Sequence, residues 1–313
     1  MTIVEKYYEE NKSKDNQILL SLDVCNDAIF KMSPSEILEF ILTDMCKMDK
    51  KTFVSASHMS RQRLVLSRYL AWCVEKGYTT FNPIEEADIL EYRNILFEVA
   101  RRSDVKVYYY DELPYFDDTD DWMCVNPFIY ILFWYAKGLE DLLSIKVSDI
   151  DEAYSVIRIG GKRRHITKGV LTEVYRYIDQ KECFAIKGSN TVKRNMLRYK
   201  DYLVKVFSDK DTITEEQYKR NARRTLEAGM PGIKARDLVM SGILHEVRRE
   251  LKGLDDEEFC ELILGDARNS KLRDKGYSLV EVYNKVFNRH GYKPSTSIKD
   301  EITIYLAKSK YYQ

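Results

Sequence analysis

Residues 138–151 read GLEDLLSIKVSDID, and this stretch decides how the rest of the chain is interpreted. It overlaps the end of an apolar segment, residues 128–145, whose length and spacing predict one helix or a pair of helices. Two short runs with strand character follow at 155–159 and 164–167, and Gly160-Gly161 between them predicts a hairpin turn. The predicted order is therefore apolar helix, polar turn, β-hairpin and further helices.

Helical spacing dominates the remainder of the chain. Apolar residues recur at intervals of three to four, and Ser33, Pro34 and Glu36 give the sequence of a capping box at one helix start. The sequence thus predicts a mainly α-helical protein that carries a small β-hairpin or sheet. The other predicted helices cover residues 33–48, 57–76, 84–101, 172–180, 191–207, 214–228, 235–251, 255–264, 279–289 and 298–308.

Length and composition predict two globular domains. A chain of 313 residues with 44% hydrophobic and 32% charged residues is long enough to divide into two cores and too hydrophobic for general disorder. An acidic stretch without periodicity, residues 107–122, is the expected linker between a helical domain at 1–106 and a second domain at 123–313. The chain has no run of about 18 apolar residues and no leader pattern, so we expect a cytoplasmic protein without membrane contact.

Charge and cysteine content narrow the functional classes. Lys and Arg number 50, as do Asp and Glu, so the formal net charge is zero and the field of the whole molecule does not attract nucleic acid. Local cations can still bind phosphate, because screening confines each charge to about 8–10 Å. The six cysteines are far apart and lack zinc-ligand spacing, which predicts reduced core residues, no metal site and no cofactor.

Short basic stretches are the candidates for contact with DNA. Each places cations three or four residues apart on a predicted helix, or together on the hairpin. A solvated helix face or a solubilising turn is the alternative for each stretch, and an ion pair with Asp237 is the alternative for Arg236. Arg236 is the preferred phosphate ligand, because the start of a helix also favours an anion. The candidates are Arg61, Arg63, Arg68, Lys162, Arg163, Arg164, His165, Lys168, Lys193, Arg194, Arg198, Arg220, Arg223, Arg224, Lys234 and Arg236.

The order of these elements resembles the tyrosine recombinases and phage integrases. Residues 142–151 are similar to the helix-to-turn segment after the first catalytic arginine of that family, and residues 60–89 resemble its helical core-binding domain. On this resemblance Gly138 lies at the arginine position and Lys162 lies at or near the catalytic lysine of the hairpin. The resemblance implies a two-domain fold that clamps DNA.

Later landmarks of the family are also altered. Arg236 and Val239 take the places of the histidine and the second arginine of the His-x-x-Arg box, and Asp266 replaces the histidine of the Leu-Gly-His box. Tyr283 lies where the nucleophilic tyrosine is expected. Loss of one arginine that stabilises a phosphoryl-transfer transition state costs about 10³–10⁵ in rate, and an aspartate adds negative charge beside the phosphate. We therefore expect DNA binding without strand cleavage, and no enzyme activity.

The chain resembles most closely the integrase-like master repressors of SP-beta-type Bacillus prophages. This implies a transcriptional repressor that binds a double-stranded operator in the bacterial nucleoid and maintains lysogeny. Ile298, Ile302, Tyr305 and Leu306 have heptad-like spacing, so the terminal helix is expected to pack within the chain or to dock on a second copy. Two alternatives stay open: a divergent active recombinase, and a regulator that binds a phage or host protein instead of DNA, which neutral net charge favours.

Overall fold

The fold is that of a computed structural model of the chain. By contact it divides into two compact units, and both are made of segments that are not consecutive in sequence. Residues 253–279 and 294–313 belong to unit 1, although the sequence analysis placed them in the second domain. The predicted boundaries of the two domains and of the linker stay a prediction. Unit 1 comprises Met1–Val105, Gly253–Leu279 and Pro294–Gln313, and unit 2 comprises Lys106–Lys252 and Val280–Lys293. The structure describes residues 1–12, 16–21, 28–41, 45, 56–86, 97, 100–101, 103–113, 126–187, 190–207, 212–230, 232–264, 276–293 and 295–312.

The described part of unit 1 is helical and is organised around the long helix α4 (Ala56–Glu75). Leu66, Tyr69 and Leu70 on one face of α4 are fully buried, and Ile304 from the terminal helix α13 joins the same core. The predicted helix at 57–76 is confirmed. The helices of unit 1 are α1 (Ile3–Glu10), α2 (Gln17–Ser21), α3 (Pro34–Phe40), α4 (Ala56–Glu75), α5 (Pro83–Glu86), α11 (Asp256–Leu264) and α13 (Thr296–Ala307).

The start of α3 shows how local sequence sets a helix boundary. The Ser33 hydroxyl accepts a hydrogen bond from the Glu36 backbone N–H at 3.3 Å, and the Glu36 carboxylate accepts one from the Ser33 N–H at 2.8 Å. These two bonds satisfy backbone donors that a helix start otherwise leaves unpaired. The predicted capping box is therefore confirmed. The later parts of the helices predicted at 33–48 and 84–101 fall largely outside the described residues.

In unit 2, helix α6 (Asn126–Trp134) packs closely against helix α10 (Ala235–Glu250). Phe133 of α6 is fully buried, and a Cβ at Gly242 of α10 would lie 1.7 Å from the Phe133 carbonyl oxygen. Only glycine therefore permits this approach of the two helices. The helices of unit 2 are α6 (Asn126–Trp134), α7 (Leu139–Ser144), α8 (Lys168–Asp179), α9 (Glu215–Gly229), α10 (Ala235–Glu250) and α12 (Leu279–Arg289), whose first residue is assigned to unit 1.

The described residues also form two three-stranded antiparallel sheets. The first has the order β1-β2-β3, with Ile157 opposite Arg164 and Ile159 opposite Lys162. The second has the order β4-β5-β6. The strands are β1 (Ile150–Asp151), β2 (Val156–Ile159), β3 (Lys162–His165), β4 (Glu182–Lys187), β5 (Asn190–Leu197) and β6 (Val206–Phe207).

The helix predicted at 191–207 is wrong. Residues Asn190–Leu197 form strand β5, which pairs with β4 over residues 190–195 and with β6 at Met196 and Leu197. Val192 and Met196 are four apart, and this spacing suggested a helix face, but a short apolar set fits either period. The adjacent strand β4 pairs with the backbone of β5, and the apolar spacing within β5 does not reveal that pairing.

The predicted hairpin is confirmed at its turn, whereas its second strand begins two residues earlier than expected. Gly160 and Gly161 have φ of +55° and +76°, as a two-residue hairpin turn requires. This tight turn brings Lys162 and Arg163 into β3. Thr167, expected at the strand end, instead caps α8 by accepting a hydrogen bond from the Val170 N–H at 3.4 Å.

The expectation of a mainly helical protein with small β-structure is confirmed. The helix predicted at 279–289 has the predicted boundaries, and those predicted at 214–228, 235–251, 255–264 and 298–308 are present with boundaries shifted by one or two residues. Among the residues the structure describes, no helix has the length and apolar character needed to cross a bilayer.

Candidate nucleic-acid interface

Strand alternation divides the basic run of the hairpin between two faces of the sheet. Directly opposed residues share a face, so Lys162 and Arg164 lie on the face of the buried Ile159 and Ile157. Arg163 lies on the other face, where its guanidinium is 3.7 Å from the Asp151 carboxylate. The run that is densest in sequence is therefore divided between the two faces of the sheet.

The other face of the hairpin is electrically balanced. Arg158 pairs with Asp149 at 3.6 Å, next to the pair between Arg163 and Asp151. His165 is exposed on this face, and Lys168 is exposed at the start of α8. Two arginines with two aspartates leave this face with little net charge to attract phosphate.

The first face of the hairpin meets the turn that follows α12. The Lys162 ammonium donates a hydrogen bond to the Asn288 carbonyl oxygen at 3.3 Å. A Cβ at Gly291 would lie 3.8 Å from Arg164 Nη2 and 2.8 Å from Lys137 Cε. Gly291 has φ of +75°, so glycine is favoured here both by backbone conformation and by the approach of these cations.

Tyr292 at the end of this turn connects two more cations. Arg236 Nη1 donates a hydrogen bond to the Tyr292 hydroxyl oxygen at 2.6 Å, and that hydroxyl donates to the Lys137 carbonyl oxygen at 2.8 Å. The Arg236 guanidinium carbon and the Lys137 ammonium lie 5.5 Å and 6.0 Å from the centroid of the Tyr292 ring. We call Lys137, Lys162, Arg164 and Arg236, gathered around the 288–292 turn, the cation cluster.

The cluster combines exposed cations with one that is half-buried. Lys137, Lys162 and Arg236 are exposed, whereas Arg164 has its Nε buried without a hydrogen-bond partner. Burial lowers the pKa of Arg164, while the nearby carboxylates of Glu246 and Asp141 oppose that shift. An arginine remains protonated despite such a shift, so the cluster keeps its positive charge.

Two carboxylates hold backbone segments beside the cluster. The Asp141 carboxylate accepts a hydrogen bond from the Lys137 backbone N–H at 2.7 Å, which fixes the turn before α7. Asp237 is buried and accepts from the Lys106 backbone N–H at 3.1 Å. The Asp237 carboxylate thus helps to hold the 106–110 segment on α10.

The positions that resemble recombinase catalytic residues have different surroundings. Gly138 has an extended backbone, and a Cβ there would meet no atom within 4 Å. Val239 is fully buried, and Tyr283 is 3% exposed with its ring stacked on Phe287 at 5.1 Å. Lys162 and Arg236 both join the cation cluster. Asp266 lies outside the described residues.

Several other DNA candidates have contacts within the protein. Arg223 on α9 pairs with Glu140 of α7, and Arg198 donates to the Ile178 carbonyl oxygen at 3.0 Å near the end of α8. The internal contact of Arg198 shows a structural role that its sequence position did not predict. The side chains of Lys193 and Arg194 lie outside the described residues.

The remaining candidates lie on helix surfaces. Arg61 and Arg68 of α4 are exposed, with Arg63 half-buried. The remaining exposed candidates are Arg220 and Arg224 on α9 and Lys234 at the cap of α10.

Sequence reasoning missed Lys137 and Tyr292. A lysine directly before Gly138 was a possible signal, because the family places an arginine in this neighbourhood. Tyr292 carried only a weak signal: it follows Gly291, immediately after a predicted helix. Its contact with Arg236 joins residues 56 positions apart, which no local pattern reveals.

Comparison with known proteins gives similarity to recombinase structures alone. No family model matches the chain, and no curated protein matches it. The Tn1549 transposon integrase in complex with circular intermediate DNA is similar at 13% identity over 96% of this chain and 99% of that chain, with a TM-score of 0.41. Lambda integrase, as a dimer bound to a core site, is similar at 12% identity over 88% and 94%, with a TM-score of 0.33. XerA recombinase is similar at 16% identity over 93% and 98%, with a TM-score of 0.27. Similarity at this level assigns no residue roles, so function is inferred from this chain's own side chains.

Proposed function

We propose that this protein is a sequence-specific, double-stranded DNA-binding repressor of a prophage that maintains lysogeny without cleaving DNA. The observation that carries the proposal is the cation cluster, in which Lys137, Lys162, Arg164 and Arg236 surround one turn while three of them stay exposed. Exposed cations held close together favour an anion, and a DNA phosphate matches their charge and hydrogen-bonding capacity.

Three of the positions that resemble catalytic residues support the proposal of binding without cleavage. Phosphoryl transfer needs a nucleophile that reaches phosphorus and cations that neutralise the equatorial oxygens. Gly138 supplies no side chain, Val239 is apolar and buried, and Tyr283 is packed against Phe287. Binding uses many separate phosphate contacts, each of modest strength, and therefore tolerates the loss of catalytic groups.

The repressor role is proposed from the resemblance of the sequence. A protein that holds an operator without cutting it blocks transcription by occupancy. The candidates on α4 and those on α9 would each add contacts to DNA, and some of them would read bases. The partner is thus an operator duplex, and the site of action is the bacterial nucleoid.

The test is chromatin immunoprecipitation with sequencing in a lysogen, followed by fluorescence anisotropy with the enriched duplex. We expect one shared motif, and affinity that falls steeply with salt. Charge reversal of Arg163 together with Arg164 should weaken binding, and Tyr283→Phe should leave it unchanged. Absence of a shared motif would overturn the proposal in favour of a regulator that binds a phage or host protein.

A divergent active recombinase is a second candidate, and Tyr292 is the observation that favours it. Its hydroxyl lies 2.6 Å from Arg236 Nη1, beside the exposed Lys137. A nicked suicide duplex that carries the enriched motif separates the candidates. A covalent protein–DNA adduct that Tyr292→Phe abolishes would establish cleavage, whereas binding without any adduct supports the repressor.

A further inference from the structure

Residues 106–110 of unit 2 pass along helix α10, and we call them the strap. The Lys106 N–H donates a hydrogen bond to Asp237 Oδ2 at 3.1 Å, and the Tyr108 N–H donates one to the Ser241 hydroxyl oxygen at 2.9 Å. Two residues of an extended chain span about 6.6 Å, and four residues of a helix span about 6 Å. The donors and the acceptors therefore repeat at matching distances, and the strap runs in the same direction as α10.

The match continues for one further turn of α10. His245 lies one turn beyond Ser241, where the repeat places Tyr110. The ring centroid of Tyr110 is 5.5 Å from that of Trp134, which is 5.2 Å from that of His245. Tyr110 thus packs near the position on α10 that the repeat predicts.

The strap holds the first turn of α10, which has no side-chain cap. The N-cap residue is Lys234, whose side chain carries no acceptor atom and cannot cap a helix. Asp237 is the third helical residue, the position of the acidic group in a capping box. Its carboxylate accepts from the Lys106 N–H, 131 residues away in sequence. The start of α10 is therefore tied to a distant segment of the chain.

The strap has no buried side chain, in contrast to the groups that hold it. Lys106 and Tyr110 are exposed, and the three residues between them are half-buried. Asp237 and Ser241 are 3% and 1% exposed. A segment that is fixed mainly by hydrogen bonds and buries little apolar surface opens at a lower free energy than the core. These properties favour local opening of the strap.

The turn that the strap holds carries two exposed cations. Lys234 and Arg236 are exposed at the start of α10, where the helix dipole and the backbone N–H groups favour anions. An ordered first turn fixes where both cations leave the helix. An anion that binds there therefore favours the ordered turn, and the ordered turn favours the anion in return.

We propose that the strap is a conformational switch that opens and closes as one unit, and that its docking and the binding of duplex DNA favour one another through the first turn of α10. The coupling to DNA rests on the proposed function and supplies a means of regulating it. The opening of the strap does not depend on DNA, so the two claims are tested separately.

Hydrogen exchange of single backbone amides in the full-length protein measures strap opening. Ser241→Ala removes the acceptor of the Tyr108 amide and leaves the bond from Lys106 to Asp237 in place. The Lys106 amide should nevertheless exchange roughly threefold to tenfold faster, because loss of one neutral hydrogen bond raises the open fraction of the whole strap by about that factor. Alanine has a higher helix propensity than serine, so a weaker α10 would not explain the change.

Thr225→Val is the matched control. Thr225 is buried in α9 of the same unit, and its hydroxyl donates to the Asn221 carbonyl oxygen of its own helix at 3.0 Å. This substitution also removes a buried hydroxyl from a helix, but that hydroxyl does not hold the strap. The Lys106 amide should exchange at the wild-type rate.

Duplex DNA should slow exchange of the Lys106 amide. The probe is a labelled mixed-sequence duplex of about 30 base pairs, and its Kd is measured by fluorescence anisotropy over roughly 50–200 mM KCl. At about 100 times the Kd, exchange should slow by up to about 100-fold, the limit for DNA that binds only the docked state. The slope of log K against log salt is about −0.9 per phosphate neutralised. Ser241→Ala should keep the wild-type slope, because a buried hydroxyl neutralises no phosphate.

Each outcome decides one claim. A wild-type exchange rate at Lys106 in Ser241→Ala overturns the opening of the strap as one unit. Unchanged exchange under saturating duplex overturns the coupling and leaves the proposed function standing. Absence of salt-dependent binding by the wild type overturns the proposed function, and Ser241→Ala still decides the opening.

A second variant covers failure of Ser241→Ala to fold, as judged by circular dichroism. Tyr108→Phe removes the hydrogen bond from the Tyr108 hydroxyl to the Gly232 carbonyl oxygen at 3.4 Å. It should also speed exchange of the Lys106 amide, and a wild-type rate in this variant would overturn the opening of the strap as one unit.

Discussion

Gly138 has no side chain, and the space where a side chain would lie is open. Its backbone is extended, with φ of 165°, a conformation open to any residue, and no atom would lie within 4 Å of an added Cβ. Neither strain nor crowding therefore requires glycine at this position. The adjacent Lys137 supplies the local positive charge, from a different point on the turn.

Gly138→Arg should restore a cation at little cost in stability. Replacement of an N-cap glycine changes the free energy of unfolding by about 1 kcal/mol or less. The added charge should tighten binding to duplex DNA and steepen the salt slope by about 0.9. Chemical denaturation and anisotropy measure the two effects, with Gly138→Ala as the neutral control. An unchanged slope would show that this open space does not face DNA.

Glu250 should make the free energy of unfolding depend on pH in the acidic range. A hydrogen bond from Lys285, with Arg289 in addition, holds the pKa of the Glu250 carboxyl below its ordinary value of 4.5. A lowered folded pKa contributes stability that is complete above the unfolded pKa and is lost as pH falls through the folded value. We expect Glu250→Gln to lower the free energy of unfolding at neutral pH.

The acid dependence tests this directly. Urea unfolding between about pH 6 and pH 3 should show a smaller loss of stability for Glu250→Gln than for the wild type. Glu216→Gln, at an exposed position on α9, provides the control. Parallel curves for Glu250→Gln and the wild type would contradict the role assigned to this ion pair.

The hairpin β2-β3 places its cations on two faces, because successive side chains of a strand point to opposite sides of the sheet. Lys162 and Arg164 are directed to the 288–292 turn, while Arg158 and Arg163 have aspartates within 4 Å. In the sequence, Lys162, Arg163 and Arg164 look equivalent as one basic run. Because side chains alternate along a strand, one face of the hairpin is a candidate phosphate-binding surface. The other face has its arginines paired with aspartates.

Paired neutralisations of the two hairpin faces should therefore differ. Lys162→Gln with Arg164→Gln removes two cations of the cluster and should make the salt slope shallower by about 1.8. Arg158→Gln with Arg163→Gln removes equal charge from the balanced face and should change the slope less. The comparison uses the same duplex and salt range as above. Equal effects would mean that DNA does not distinguish the faces.

In the whole molecule, the terminal helix α13 contributes to the core of unit 1. Ile302, Tyr305 and Leu306 of α13 are at most 2% exposed, and α13 packs on α4. Three of the four apolar residues that suggested docking on a second copy are thus buried within the chain, and the fourth, Ile298, is half-buried. Homo-oligomer formation through this helix stays a prediction. Neutral net charge overall and a locally basic cluster coexist because acidic residues pair cations elsewhere, as Glu140 does with Arg223.

Leu306→Ala should destabilise unit 1 although it lies near the chain end. Truncation of a fully buried leucine costs about 2–5 kcal/mol, which covers lost transfer free energy and the resulting cavity. Thermal unfolding followed by circular dichroism should show the loss, and Lys310→Ala, at an exposed position, should show little change. Wild-type stability of Leu306→Ala would mean that α13 does not contribute to the core.

The sequence alone determined most of the helices and the hairpin turn, because their signals are local. Apolar spacing of three to four residues defined α4, α9 and α10, and the Gly160-Gly161 pair specified a turn with positive φ. Arg236 and Lys162 were identified as phosphate candidates from charge and position. The strand β5 was missed because its identity depends on pairing with β4.

Only the tertiary structure decided which cations meet. Arg236 lies 56 positions from Tyr292, and Lys137 lies 155 positions from it. Such contacts depend on the packing of whole helices, since loop closure brings together residues that share no local pattern. The same packing buried Tyr283, directed Arg198 to a backbone carbonyl and left Lys137 exposed beside the open space at Gly138.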